Sequence, residues 1–242
     1  MGYHNSLGID HYPRTPEIEQ FLKNIGTEIH PAGKQYSHPG TVPFQKTITA
    51  EESPLLQAGD ANLEAVREDL GDCKRCGLCE TRTHLVFGEG NNRSGLMIIG
   101  EWPGIEDDLQ NSPFSGEAGD LLTKMLAAIN LDTKDVYLTQ LVKCHTPGNR
   151  APKPEEIATC NPFLLRQIAV LSPKVICTMG VVAAQTLLKN NELLIRLRGR
   201  FHNFMGALLM PTFHPKFLLE NPEMKKATWI DLQMIQKKLD TT

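Results

Sequence analysis

Between residues 95 and 215 the hydrophobic positions switch repeatedly between two periods. "GLMIIG" (95–100) is a short continuous apolar run closed by glycines, the pattern of a strand buried on both faces. "AGDLLTKMLAAIN" (118–130) then spaces its apolar residues three and four apart, as one face of a helix requires. The alternation continues with a strand in "DVYLTQLV" (135–142), a helix in "TCNPFLLRQIAVL" (159–171) and a strand in "PKVICTMG" (173–180). A helix in "VVAAQTLLKN" (181–190) and a fourth strand in "ALLMPTFHP" (207–215) complete it. Helices between short apolar strands predict an α/β fold: three α/β/α layers around a central, mainly parallel four-stranded sheet. Ligands of such sheets sit beyond the carboxyl ends of the strands. That rule places Gly100 and Glu101, Gln140 to Lys143, Met179 and Gly180, and His214 and Pro215 along one edge.

Upstream the pattern is weaker. Pro16 followed by Ile18, Phe21, Leu22 and Ile25, then Gly26, predicts a short capped helix, whereas residues 30–59 are rich in Pro, Gly and polar residues and read as a linker or surface arm. Leu63, Val66 and Leu70 share a helical face that ends at Gly71. The expected division is an arm over residues 1–66 and one α/β domain over 67–242.

Composition narrows the class. A chain of 242 residues has room for one sizeable core. It carries no apolar run of membrane length, and its N-terminus lacks a basic start and an apolar signal core. A soluble, cytoplasmic protein is expected. The formal net charge of -3 conceals an asymmetry: residues 142–242 carry 14 Lys+Arg against 7 Asp+Glu, so the acidic excess lies entirely before them. That distribution allows a basic face toward an anionic polymer despite the overall charge.

The six cysteines belong to metal or redox chemistry more readily than to disulfides in a cytoplasmic protein. "DCKRCGLC" contains two overlapping pairs of equal spacing, Cys73 with Cys76 and Cys76 with Cys79. Cys144 and Cys160 lie beyond the second strand and in the next helix, so one pair and these two could converge as four thiolates. Spacing leaves tetrahedral zinc and a 4Fe-4S cluster equally open. Cys177, inside a buried strand, reads as a small core residue.

Read in order, "GEWPGIEDDLQNSPFSGEAGDLL", "YLTQLVKCHTPGNRAP", "LRGR" and "PTFHPKFLL", together with the cysteine pair, resemble the iron-sulfur uracil-DNA glycosylases, family 4 of that superfamily. The resemblance covers roughly residues 70–240, and the first 65 or so lie outside it. It implies a DNA repair glycosylase that hydrolyses the N-glycosidic bond of uracil, or a related deaminated base, and leaves an abasic site without a covalent intermediate. It also implies a 4Fe-4S cluster, preferred over zinc, on Cys73, Cys76, Cys144 and Cys160, with Cys79 a bystander. Such a cluster would be structural, since nothing in the sequence supports a redox role.

The carried-over roles follow the motifs. His214 would donate a hydrogen bond to uracil O2 as negative charge builds there, and Glu101 would hold or polarise the attacking water, with Asn149 a second candidate for that water. Phe114 would stack on the flipped base, Gly100 would let backbone approach it, and Gln140 would read its polar edge. Lys143, Arg150, Arg198, Arg200 and Lys216 would contact phosphates. The expected partner is DNA containing uracil or another deaminated base, no membrane is involved, and the chain is expected to act as a monomer.

Three residues depart from the family pattern. Gln140 stands where Asn is common and carries its amide one methylene further out, which would crowd or mis-aim a pocket built for Asn. Trp102 replaces a small residue, and Lys216 adds a charge after the His-Pro pair. Gln140 and Trp102 motivate an alternative, a catalytically weak DNA-binding relative that captures a flipped base without efficient cleavage. An iron-sulfur electron carrier ranks last, because it would need neither the His-Pro motif nor a basic edge.

Overall fold

The computed structural model describes residues 62–241, and all of them lie in one compact unit. The predicted helix at 15–25 and the linker at 30–59 fall outside the described residues. The first described element, α1 (Leu63–Leu70), starts with Asn62 capping the Ala65 N–H at 2.9 Å, and buries Val66 and Leu70 against Phe87 and Phe163. Leu63 to Val66, assigned from the sequence to the arm, therefore belong to this folded unit, because Val66 is fully buried in it.

Among the described residues the sheet has six strands where four were expected. Their order is β1 (Glu89–Gly90), β3 (Tyr137–Gln140), β2 (Leu96–Gly100), β4 (Val175–Met179), β6 (Ala207–Thr212) and β5 (His202–Phe204). The four inner strands are parallel and are the four predicted ones, while the short β1 and β5 add antiparallel edges. Two exposed residues in β1, and three exposed or half-buried ones in β5, are too few to print a period on the sequence. Every residue of β2, β3 and β4 is buried, as strands covered on both faces must be.

Alternation along the strands divides the core in two. Met97 and Ile99 of β2 face one side and pack with Leu164 and Ile168 of α4 (Pro154–Leu171) and Leu187 of α5 (Val181–Leu188). Leu96 and Ile98 face the other side. They meet Leu122 and Leu126 of α3 (Gly116–Ala127), together with Leu232 and Ile235 of α8 (Lys225–Asp240). The remaining helices are short: α2 (Ile105–Gln110), α6 (Leu194–Leu197) and α7 (Pro215–Glu220). Among the described residues no helix is long and apolar enough to cross a membrane.

Register aligns the strand ends. Gly100 pairs with Gln140, Ile99 with Thr178 and Met179 with Thr212, so the chain leaves β2, β3, β4 and β6 at nearly one level. After β2 the chain moves to β3 on one side, and after β4 to β6 on the other, so the sheet reverses direction between β2 and β4. Open α/β sheets form their binding crevice at that reversal.

Candidate active site and thiolate centre

The crevice is occupied by Glu101. Its Oε1 accepts the Val182 N–H at 2.7 Å, and the Val181 N–H also acts on it, so the carboxyl sits on the first turn of α5. Burial nevertheless outweighs these donors and holds its pKa up at about 7. The arrangement requires Gly180, whose φ of 112° suits only glycine and whose missing Cβ leaves the space that the Glu101 carboxyl fills. Gly180→Ala is expected to displace Glu101. It should cost at least ~1 kcal/mol of stability and slow turnover by about tenfold or more, as read from a thermal melt beside a rate assay.

A second group gathers around Gly100. A Cβ there would lie 2.9 Å from the Phe114 ring and 3.3 Å from Gln140 Cγ, so the bare backbone lets an aromatic face and a carboxamide share one space. Phe114 is 7 % exposed and has a φ of 58°, a left-handed conformation that strains an aromatic residue and that the surroundings must enforce. The Ser115 N–H beside it donates to Asp107 Oδ1 at 2.6 Å. The Phe114 ring lies 5.6 Å from that of His214 at an interplanar angle of 21°.

His214 follows β6 as the N-cap of α7, where its Nδ1 accepts the Lys216 N–H at 3.2 Å. A ring whose Nδ1 accepts carries its proton on Nε2. Burial, helped by the Lys216 charge, lowers its pKa to about 4, so at neutral pH it is an uncharged imidazole offering one N–H.

The structure thus brings Gly100, Glu101, Phe114, Gln140 and His214 to one rim. Asn149 reaches that rim indirectly: its Oδ1 accepts the Trp102 Nε1–H at 3.1 Å, next in sequence to Glu101. Trp102 packs at the border of the core on the α4 side. Gln140 is not crowded out. Its longer side chain is buried, and its Nε2 reaches Asp107 Oδ2 at 2.8 Å.

The cationic residues separate. Lys143 is fully buried and donates to Thr139 Oγ1 at 2.5 Å, the Gln140 carbonyl at 2.8 Å and Gln167 Oε1 at 2.7 Å, so it cannot touch a phosphate. The correction has a simple cause: Lys143 begins the turn into Cys144, and its stem points back under the sheet end. Arg198 is also withdrawn. Its Nε donates to the buried Asp231 Oδ2 at 3.0 Å and its guanidinium lies over Phe213, bracing the strand end before His214. Arg150 forks onto both oxygens of Glu156, at 2.6 and 2.8 Å, and so steadies the start of α4. Arg200 and Lys216 remain exposed.

The four predicted cysteines line one cavity with Leu70, Arg82, Lys143 and Phe163, whereas Cys79, in the turn Gly77–Glu80, does not. Arg82 donates to the Cys144 Sγ at 3.4 Å, the Cys73 carbonyl at 2.8 Å and Asp72 at 2.6 Å, and the Lys143 N–H donates to the Cys160 Sγ at 3.3 Å. Donors aimed at sulfur stabilise thiolates. Yet among the described residues no three His, Cys, Asp or Glu side chains stand close enough to hold a single ion. Four thiols lining one cavity are a donor set that tetrahedral zinc and an iron-sulfur cluster both accept.

These elements are those of a known superfamily. The family model for the uracil DNA glycosylase superfamily matches residues 87–233, which contain the whole sheet edge. Three type-4 uracil-DNA glycosylases are similar across their length. That of Saccharolobus solfataricus is 36% identical over 189 residues, 74% of this chain and 88% of the relative. That of Thermotoga maritima is 40% identical over 161 residues, 66% of this chain and 84% of the relative. That of Archaeoglobus fulgidus is 34% identical over 182 residues, 72% of this chain and 92% of the relative. The chain belongs to the type-4 uracil-DNA glycosylase family.

Sequence reasoning missed two supports of the site. Asp107 joins the segments around the base pocket, which nothing in its sequence position announces. Asp108, which no motif singled out, accepts the Thr83 and His84 N–H groups at 2.7 and 2.9 Å, and these donors hold it below the usual carboxylate range despite its burial. The glycine directly before the α5 apolar run was the available signal for the Glu101 seat.

Proposed function

We propose that the protein excises uracil, or a closely related deaminated base, from DNA by hydrolysing the N-glycosidic bond and leaving an abasic site. The observation that carries this reading is the convergence of Phe114, Gln140 and a neutral His214 around the bare backbone of Gly100. Phe114 offers a face to a flipped base, Gln140 offers amide groups to its edge, and His214 Nε2–H donates to O2. As the bond lengthens, charge gathers on the base, and a donor fixed in place contributes most in the transition state. Glu101 as a carboxylate orients water at the sugar carbon and offsets the oxocarbenium charge, with Asn149 at the same rim. No covalent intermediate is needed. Arg200 and Lys216 supply phosphate contacts from the basic C-terminal part, with the protein acting as a monomer in the cytoplasm.

Cys73, Cys76, Cys144 and Cys160 would hold a 4Fe-4S cluster, whose contribution is to pin the segment after α1 to the loop after β3. The thiol-directed donors Arg82 and Lys143 N–H, and the one cavity that the four sulfurs share, support it.

Release of free uracil from a uracil-containing duplex, followed by chromatography, tests the function, and its pH profile tests the roles. Glu101 works ionised and its pKa is raised to about 7, so kcat/KM is expected to climb as pH rises through about 7. His214 works neutral and loses its proton near pH 4, so it imposes no fall on the alkaline side. Glu101→Gln should flatten the climb and lower the plateau by about a hundredfold. A rate that instead declines above pH 7 would assign the work to an imidazolium and contradict the mechanism.

A further inference from the structure

Gln140 is 1 % exposed, and its two polar atoms are unequally used. Nε2 donates to Asp107 at 2.8 Å, while Oε1 is buried and has no hydrogen-bond partner. A buried acceptor left unpaired is costly unless a ligand completes it. Asp107, itself 7 % exposed, gathers three donors from three segments. These are the Gly104 N–H at 3.0 Å in the turn after Glu101, the Ser115 N–H at 2.6 Å beside Phe114, and Gln140 Nε2 at the end of β3.

The consequence is orientational. A carboxamide turned by half a revolution exchanges its oxygen for its amino group. Burial pushes the Asp107 carboxyl up while its three donors favour the ionised form; with that form in place, the turned state would set Oε1 against a carboxylate oxygen, two acceptors at hydrogen-bond distance with no proton between them. One orientation survives.

We propose that Asp107 is the positioning residue for base selection, locking the Gln140 carboxamide so that the pocket presents a buried acceptor. This rests on the excision reading above. An acceptor admits a base whose ring nitrogen carries a proton at that edge, as N3 of uracil does. It refuses cytosine, whose N3 is itself an acceptor. The second Nε2 hydrogen of Gln140 suits the adjacent uracil O4 and opposes the cytosine amino group. Sites built around a hydrogen bond reject analogues that cannot make it far more strongly than sites built on shape alone.

Two measurements test the lock. In the wild type, an oligonucleotide carrying 3-methyluracil, which lacks the N3 proton, is expected to be excised at least about a hundredfold more slowly than one carrying uracil. In Asp107→Asn, a neutral amide can pair with Gln140 in either orientation. The ratio of uracil to cytosine excision, in oligonucleotides otherwise identical, is expected to fall by about a hundredfold, through kcat rather than KM. Asp107→Ser, whose hydroxyl also serves both orientations, carries the same expectation should Asp107→Asn fail to fold. Wild-type protein that releases 3-methyluracil as fast as uracil overturns the lock while leaving the excision reading intact. So do variants that slow on uracil with the base ratio unchanged, which would make Asp107 merely structural. Wild-type protein inert on uracil would instead end the excision reading itself.

Discussion

His214→Ala is expected to slow single-turnover uracil excision about 100- to 1,000-fold while leaving the affinity for uracil-containing DNA within a fewfold of wild type. The magnitude is that of removing one preorganised donor from a site of developing negative charge. The asymmetry follows from the ring's state. Nδ1 is engaged by the Lys216 N–H and the ring is neutral at working pH, so His214 contributes one N–H that strengthens only as the base becomes anionic. Phe114 and the phosphate contacts stay in place to hold the ground state. Rapid-quench kinetics beside a binding titration separate the two quantities. Loss of binding in step with loss of rate would reduce His214 to a wall of the pocket.

The second large effect concerns the thiolates. Cys144→Ala and Cys160→Ala are expected to abolish iron content and visible absorbance, and to lower the melting temperature by about 10 °C. That figure corresponds to losing about 3–4 kcal/mol, part of what a structural metal centre contributes to a domain of this size. Cys79→Ala, outside the cavity, should leave iron content and melting unchanged. The contrast matters because the segment carrying Cys73 and Cys76 has few apolar anchors: Leu78 is buried, but most of its neighbours are exposed or half-buried. Colourless wild-type protein that releases one zinc would contradict the assignment.

The inner four strands and their helices were legible because fully buried strands and amphipathic helices each leave a period that burial imposes. The edges β1 and β5 were not, since short strands with one open side leave none. Among site residues, those named by motif arrived together: Gly100, Glu101, Phe114, Gln140 and His214 share the rim, and four of the five clustered cysteines share a cavity. Charge was the poor guide. Lys143 and Arg198 sit in the same motifs as the site residues, but adjacency in sequence does not say on which side of a strand end a long side chain turns. Lys143 turned inward to three neutral oxygens, and Arg198 to a buried aspartate on α8, a helix far away in the chain. The role of Asp107 was equally hidden, because it depends on three donors that meet only once β3 lies beside β2.

Purified protein in excess over an end-labelled oligonucleotide with a single uracil, followed by alkali, gives the most direct reading of the central claim. The account predicts scission at the uracil position in wild type and almost none in His214→Ala over the same interval. An oligonucleotide that survives alkali intact, while the protein demonstrably binds it, would contradict the claim that this rim performs excision.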